Sequence, residues 1–442
     1  MVHIFTRRTA LTIGAGAAAA ALVDFKASAI PIADVAPPNL PIEKGASLRV
    51  LRPTKFVDPD EVIFRENVKK FSDTTGVQMR VDFVGWEDLR PQVAVAANTG
   101  AGPDVVIGWP DDPHLYVDKI VEVSDITEYL GKKYGGWYFL AEKYGKQFGT
   151  NNWIAVPMGG SGGPMVYRES WIKEVGFDRI PDDFDQLLKL FLGLKKNNHP
   201  VGFALGNAVG DANSYCSWLL WAFGGYIVDE SGHVAINRKE TIEALKFARA
   251  MYPTQIDGVL SWGDPSNNKA YIAEQISMTT NGVSIYFILK GDPKTAAIAA
   301  DTNHQHLPKG IVGKSGEAAL ILNGMIFKHS KYPNASKQFL TFMMEQPQYE
   351  KWLTGTAGYW AQPLKSYAEC DVWKGDPKIA AYRDTCGNEF WNGYKGPINA
   401  ASGAVTADYV NVNMFAAVAS GQAEPEDAAK EAERRAKRYY RA

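Results

Sequence analysis

Three cysteines and seven histidines in 442 residues leave little material for metal or disulfide chemistry. No Cys/His spacing resembles a zinc site, so no metal is expected. Charge of one sign is equally scarce. Lys and Arg number 47 against 49 Asp and Glu, which gives no bulk attraction to nucleic acid or to an anionic membrane. No Gly-x-Gly-x-x-Gly follows a strand, so a dinucleotide cofactor is not expected. No acidic pair falls in a recognisable catalytic motif, and no catalytic residue is assigned. No apolar run reaches the roughly 20 residues that span a bilayer. What the chain does have is length and rings. Its size argues for two or more domains with a substantial core. Aromatics make up 12% of residues, with 12 Trp and 20 Tyr.

The first residues read as an export signal. Thr6-Arg7-Arg8-Thr9-Ala10-Leu11-Thr12 is a twin-arginine motif, followed by the short apolar run 13–23 and the small-x-small site Ala27-Ser28-Ala29. Residues 1–29 are therefore expected to be removed. Residues 30–45, with four prolines between Pro31 and Pro41, read as an extended, mobile leader. Export would place the cysteines in an oxidising compartment. Cys370 and Cys386 lie sixteen positions apart, and a disulfide there would contribute roughly 3 kcal/mol. Cys216 sits in an apolar run and reads as a small buried hydrophobe.

The remainder alternates between two periodicities. Leu48–Leu51, Gln78–Val84 and Pro103–Pro110 read as strands, with helical spacing over Glu61–Thr74 and Trp86–Ala97 between them. That order predicts parallel pairing flanked by helices, with ligand-facing loops beyond the strand ends. The loops after Leu51, Val84 and Ile107 bring Lys55, Trp86, Trp109 and Asp111 to one rim. A second α/β half follows, with a strand at Val201–Leu205, an aromatic helix capped by Ser214 and a strand at Ile276–Thr280. Between the halves lies the run from Trp153 to Trp171. It holds Gly159-Gly160-Ser161-Gly162-Gly163 between two short apolar segments. These glycines suit a hinge, or a backbone lining that a ligand can approach closely.

Pro103-Asp-Val-Val-Ile107, Ile154-Ala-Val-Pro157 followed by Met165-Val-Tyr-Arg168, and Ile180-Pro-Asp-Asp-Phe-Asp-Gln-Leu-Leu188 carry a resemblance. With Trp218–Gly225, Met278-Thr-Thr-Asn-Gly282 and the Pro-Glu-Asp-Ala-Ala run near the carboxyl end, the chain from about residue 46 resembles the extracellular solute-binding proteins, family 1, the sugar-type receptors of bacterial ABC importers. The resemblance implies a two-lobed α/β periplasmic binding protein fold of type II, each lobe a mostly parallel sheet flanked by helices. It implies an N-terminal lobe of residues 46–157 and 307–345 and a C-terminal lobe of 158–306 and 346–442, with hinge crossings near 157, 307 and 346.

Saccharide recognition needs rings to stack on C–H faces and amides or carboxylates to pair with hydroxyls. The resemblance together with that chemistry implies as candidate ligand residues Lys55, Trp86, Trp109, Asp111, Gly160, Ser161, Tyr215, Asn281, Ser284, Glu317, Tyr359 and Trp360. Ser284 departs from the family, many members of which carry Trp there; Tyr215 or Tyr286 is a candidate substitute. The resemblance implies a monomeric periplasmic receptor that binds a mono- or disaccharide, polyol or glycoside and delivers it to a transmembrane permease, without cofactor or nucleic acid. An exported glycosidase and a metal-ion receptor on the same fold are the alternatives.

Overall fold

In the computed structural model, residues 27–440 are described. The twin-arginine motif lies outside them. Among the described residues, eight strands form two sheets: β1 (Ser47–Pro53), β2 (Gln78–Val84), β3 (Val105–Gly108), β4 (Val156–Ser161), β5 (Met165–Arg168), β6 (Met278–Thr280), β7 (Thr302–Gln305) and β8 (Leu320–Ile326). The first sheet has the order β2-β1-β3-β8-β4 and the second β6-β5-β7.

β1 pairs in parallel with β2 and β3, as strand–helix–strand alternation dictates. β8 then returns antiparallel between β3 and β4. The second sheet is antiparallel throughout. The mostly parallel pairing expected of both lobes therefore holds only for β2-β1-β3. The strand expected at Val201–Leu205 is reduced to a single bridge between Val201 and Gln255.

The glycine run is not a linker between strands. β4 passes through Gly159 and Gly160 and stays in the first sheet until Ser161. The chain thus leaves that sheet after Ser161, later than the expected Pro157. It returns between β7 and β8. The last passage also falls beyond the expected Gln346. The helix Gln346–Gly355 packs on the helix Asp58–Thr75 of the first lobe, where Trp352 donates to Asp60 at 2.8 Å and Asn67 to the Gln348 carbonyl at 3.3 Å. Tyr349, Trp352, Trp360 and Tyr367 still pack in the first lobe's core, whereas residues 376–382 lie against the second lobe, where Lys378 donates to the Thr302 carbonyl at 2.7 Å and Tyr382 to the Asn281 carbonyl at 3.2 Å, and Phe390 packs there too.

The proline-rich leader is docked. Ala33 N–H donates to the Lys133 carbonyl at 2.9 Å. Glu43 accepts from the N–H groups of Asn334 and Ala335, capping the helix Pro333–Met344. Ile30, Val35, Leu40 and Ile42 pack against the first lobe's core, so apolar burial holds a segment whose prolines alone suggested mobility.

The expected disulfide is absent: Cys370 and Cys386 are both buried thiols. Cys370 packs in the first lobe's main core, whereas Cys386 sits in a small separate cluster with Tyr144 and Ile321. Its Sγ meets the Ala361 carbonyl at 3.5 Å. Cys216 is buried as expected.

Candidate ligand cleft

A cavity lies where the two lobes meet. The first lobe contributes Phe56, Trp86, Ser161, Leu320 and Tyr359. The second contributes Gly210, Asp211, Ser214, Asp264, Thr280, Asn281 and Gly282, with Gly162 and Gly163 from the connection.

The first wall is aromatic. Phe56 follows β1 and meets Trp86 edge-on, with ring centroids 4.8 Å apart. Trp86 opens the helix Trp86–Thr99, and its indole N–H donates to the Thr54 carbonyl at 2.9 Å, which fixes the ring. Two further tryptophans brace it from behind. Trp109 packs at 4.7 Å, and Trp360 lies nearly parallel at 6.3 Å. Both are buried and neither lines the cavity. Tyr359 does, and burial raises its hydroxyl pKa well above the usual value. Within this wall, the candidates Trp86 and Tyr359 line the cavity, whereas Trp109 and Trp360 pack behind it.

The second wall is polar. Asp264 accepts the backbone N–H groups of Val209, Gly210 and Asp211 at 2.8–3.0 Å, at the start of the helix Asp211–Ala222. These are the donors a helix start leaves unpaired. Burial, aided by Glu87, nevertheless pushes Asp264 up to about 6 against the pull of those amides. Asp211 is also displaced well upward, first by burial and then by Asp264. Asn267, Asn268, Asn281 and Ser284 form a linked amide–hydroxyl network: Asn281 donates to Asn268 at 2.5 Å, and Asn268 to Ser284 at 2.9 Å. Asn281 reaches the cavity. Ser284 stands one step back and orients it.

Gly282 and Ser161 bring the walls together. A β-carbon on Gly282 would lie 2.7 Å from Ser161 Oγ and 3.4 Å from the Tyr359 ring. The glycines of β4 answer a different need. A β-carbon on Gly159 would meet Trp360 at 2.7 Å, and one on Gly160 would meet Cys386 Sγ at 2.6 Å. Gly160 also exchanges both backbone hydrogen bonds with Ala361, which leaves it none for a ligand. Its role is close packing under the aromatic wall.

Four other candidates lie outside the cavity lining. Lys55 is paired with Asp58 at 2.7 Å, and its neighbour Phe56 lines the cavity instead. Asp111 is fully buried, accepts from Asn392 at 2.7 Å and is pushed to about 6 by burial. Tyr215 stacks on Phe203 in the second lobe's core and bonds the Met251 sulfur, while Ser214 beside it faces the cavity. Glu317 accepts from Leu307 N–H, His306 and Ser315, stapling the passage from β7 to β8. Tyr286, the other proposed substitute ring, is bonded to Asp376.

The sequence missed Phe56, Asp211 and Asp264. Asp211 was legible in principle as an acid in the loop before an aromatic helix. Asp264 was not, since its partners lie more than fifty residues away.

Two lobes meeting at one cavity, one face of rings and one of acids and amides, define a receptor that encloses a small solute. The profile of the bacterial extracellular solute-binding proteins matches residues 66–381, and the chain belongs to that family. A binding protein of Brucella abortus is 21% identical over 331 residues, 72% of this chain and 77% of that one. An ABC transporter-binding protein of Deinococcus radiodurans is 24% identical over 246 residues, 53% of this chain and 57% of that one. The same two-lobed fold occurs in a sugar transporter from Arthrobacter chlorophenolicus solved with laminaribiose (TM-score 0.76, 16% identity, 89% of this chain and 99% of that one). It occurs also in an Agrobacterium vitis solute-binding protein solved with D-mannitol (TM-score 0.72, 17% identity, 89% and 98%).

Proposed function

We propose that this protein is an exported, monomeric receptor that captures a neutral carbohydrate or polyol and presents it to an ABC permease, without chemical turnover. The carrying observation is the division of the cavity into an aromatic wall and a wall of carboxylates and amides. Rings suit the C–H faces of a sugar, and Asp211 with Asn281 suits its hydroxyls. Among the described residues the lining holds no Lys, Arg or His, so an anionic sugar would meet acidic groups with no cation to offset them. The saccharides and polyols in structures of the same fold support this ligand class. The twin-arginine motif supports export to the periplasm.

Two carboxylates in a saccharide cleft are also what a glycosidase requires. Asp264, however, is committed to three backbone amides and is poorly placed to act on a glycosidic bond. Turnover of a chromogenic glycoside by the purified protein would establish that alternative. The main test is a thermal-shift panel of neutral disaccharides, monosaccharides and polyols beside a uronic acid. A bound ligand at a hundred times its Kd stabilises by about 2.7 kcal/mol. Neutral ligands are expected to raise the melting temperature and the uronic acid to leave it unchanged. A panel in which no carbohydrate shifts the curve overturns the ligand class.

A further inference from the structure

Glu350 is a buried carboxylate, 1% exposed, with no ion pair among the described residues. Its two oxygens are nevertheless occupied. Oε1 accepts the backbone nitrogen of Ser28 at 2.7 Å, and Oε2 accepts Gln346 Nε2 at 2.8 Å. Every other polar group of Ser28 is also engaged. Its hydroxyl accepts Asp371 N–H at 3.0 Å, and its carbonyl accepts Gln346 Nε2 at 2.9 Å and Ile30 N–H at 3.1 Å. Ser28 is itself 8% exposed, and its seat joins the helix Gln346–Gly355 to the segment carrying Cys370 and Asp371.

A buried anion is costly to leave without a cation. The nitrogen nearest this one belongs to a residue at the edge of the export signal. We propose that export processing cuts the Ala27–Ser28 bond, and that the ammonium created at Ser28 is the counter-ion of Glu350. Hydrolysis by a signal peptidase adds water across the peptide bond, leaving a carboxylate on Ala27 and an ammonium on Ser28. The nitrogen that donates to Oε1 as a neutral amide then does so as a cation, and a charge-assisted bond is the stronger kind. The small-x-small rule favours the next candidate bond, Ala29–Ile30. That cut would remove Ser28 and strand Glu350, the Asp371 N–H and part of Gln346 together. The proposal rests on the reading of residues 1–27 as an export signal.

Intact-mass and amino-terminal analysis of the protein exported by its own host decides the site. A chain starting at Ser28 is expected. A start at Ile30, or anywhere upstream of Ser28, overturns the proposal while leaving export intact. Full-length protein retained in the cytoplasm overturns the export reading with it. The pairing is tested separately on two purified chains, one beginning at Ser28 and one at Ala27. The first is expected to melt about 2 °C higher, with the difference abolished in Glu350→Gln. An α-amine titrates near pH 7.7–8.0 when unpaired, and pairing raises that value. The advantage is therefore present below about pH 8 and lost as pH rises through the raised value. Equal melting of the two chains at pH 7 overturns the pairing.

Discussion

The two walls of the cleft are built on opposite principles. The first lobe presents Phe56, Trp86 and Tyr359, with Trp109 and Trp360 packed behind, so its face is rigid before any ligand arrives. The second presents Asp211, Asp264, Ser214 and Asn281, whose positions depend on hydrogen bonds and whose charge depends on burial. Ordering a braced ring on binding loses little entropy, so the aromatic wall supplies affinity at small conformational expense. The polar wall discriminates, because a buried acid or amide left unpaired is penalised. Shape is set on one side and hydrogen-bond pattern on the other.

The largest expected effect breaks the aromatic side. Trp86→Ala removes both the facing ring and the partner of two buttresses. Carbohydrate affinity should fall at least 30-fold, as for a loss of 2 kcal/mol or more at a binding hot spot. Calorimetry on Trp86→Ala beside Trp86→Phe checks this, and unchanged affinity in the alanine variant would show that the wall is only core.

Next in size is the pH response of the polar side. Asp264 has a folded pKa raised to about 6 from an ordinary value near 3.8. The folded state therefore binds more protons between these values than the unfolded chain. The stabilisation is complete below about pH 4 and lost as pH rises through 6, on the order of 3 kcal/mol. Asp82, Asp301 and Asp376 are displaced downward by cations and hydrogen bonds, so their loss falls below about pH 4. Ligand-free protein should melt higher at pH 5 than at pH 7, and Asp264→Asn should flatten that slope.

A more local change sharpens the contrast. Asp211→Asn keeps the shape but replaces a carboxyl by an amide, which should weaken a neutral sugar about tenfold. The same variant should begin to admit a uronic acid. Smaller again is Gly282→Ala, whose β-carbon would meet Ser161 Oγ at 2.7 Å. Affinity should drop a few-fold, and Ser161→Ala should restore part of it. The smallest effect is none: a reducing agent should leave the melting curve where it was, because Cys370 and Cys386 are thiols.

Much of the first lobe was legible because it follows local rules. Strand–helix alternation from Leu48 to Ile107 located β1, β2 and β3, and the rim they create put Trp86 beside the cavity. The second sheet was harder, since β5, β6 and β7 are three or four residues long and their antiparallel pairing joins segments over a hundred positions apart. The candidates that lie off the cavity do so for a consistent reason. Lys55 and Tyr215 each lie one position from the residue that lines the cavity, a slip that periodicity cannot resolve. Trp109, Trp360 and Glu317 are near the cleft's supports but buried in them, and only packing separates a support from a face. The glycines of β4 were read as freedom; their neighbours Trp360 and Cys386 show that they provide room.

The seat of Asp264 has one more consequence. The exposed amides at the start of a long helix are a natural berth for phosphate or sulfate. In this cleft the berth is already taken by a side chain of the protein's own, which acts as a resident anion. A phosphorylated sugar would be refused twice, by an occupied berth and by the carboxylate occupying it. Exchanging that one residue for glycine or serine would vacate the amides and remove the charge together. The route from a receptor of neutral sugars to one of sugar phosphates would then be a single substitution long.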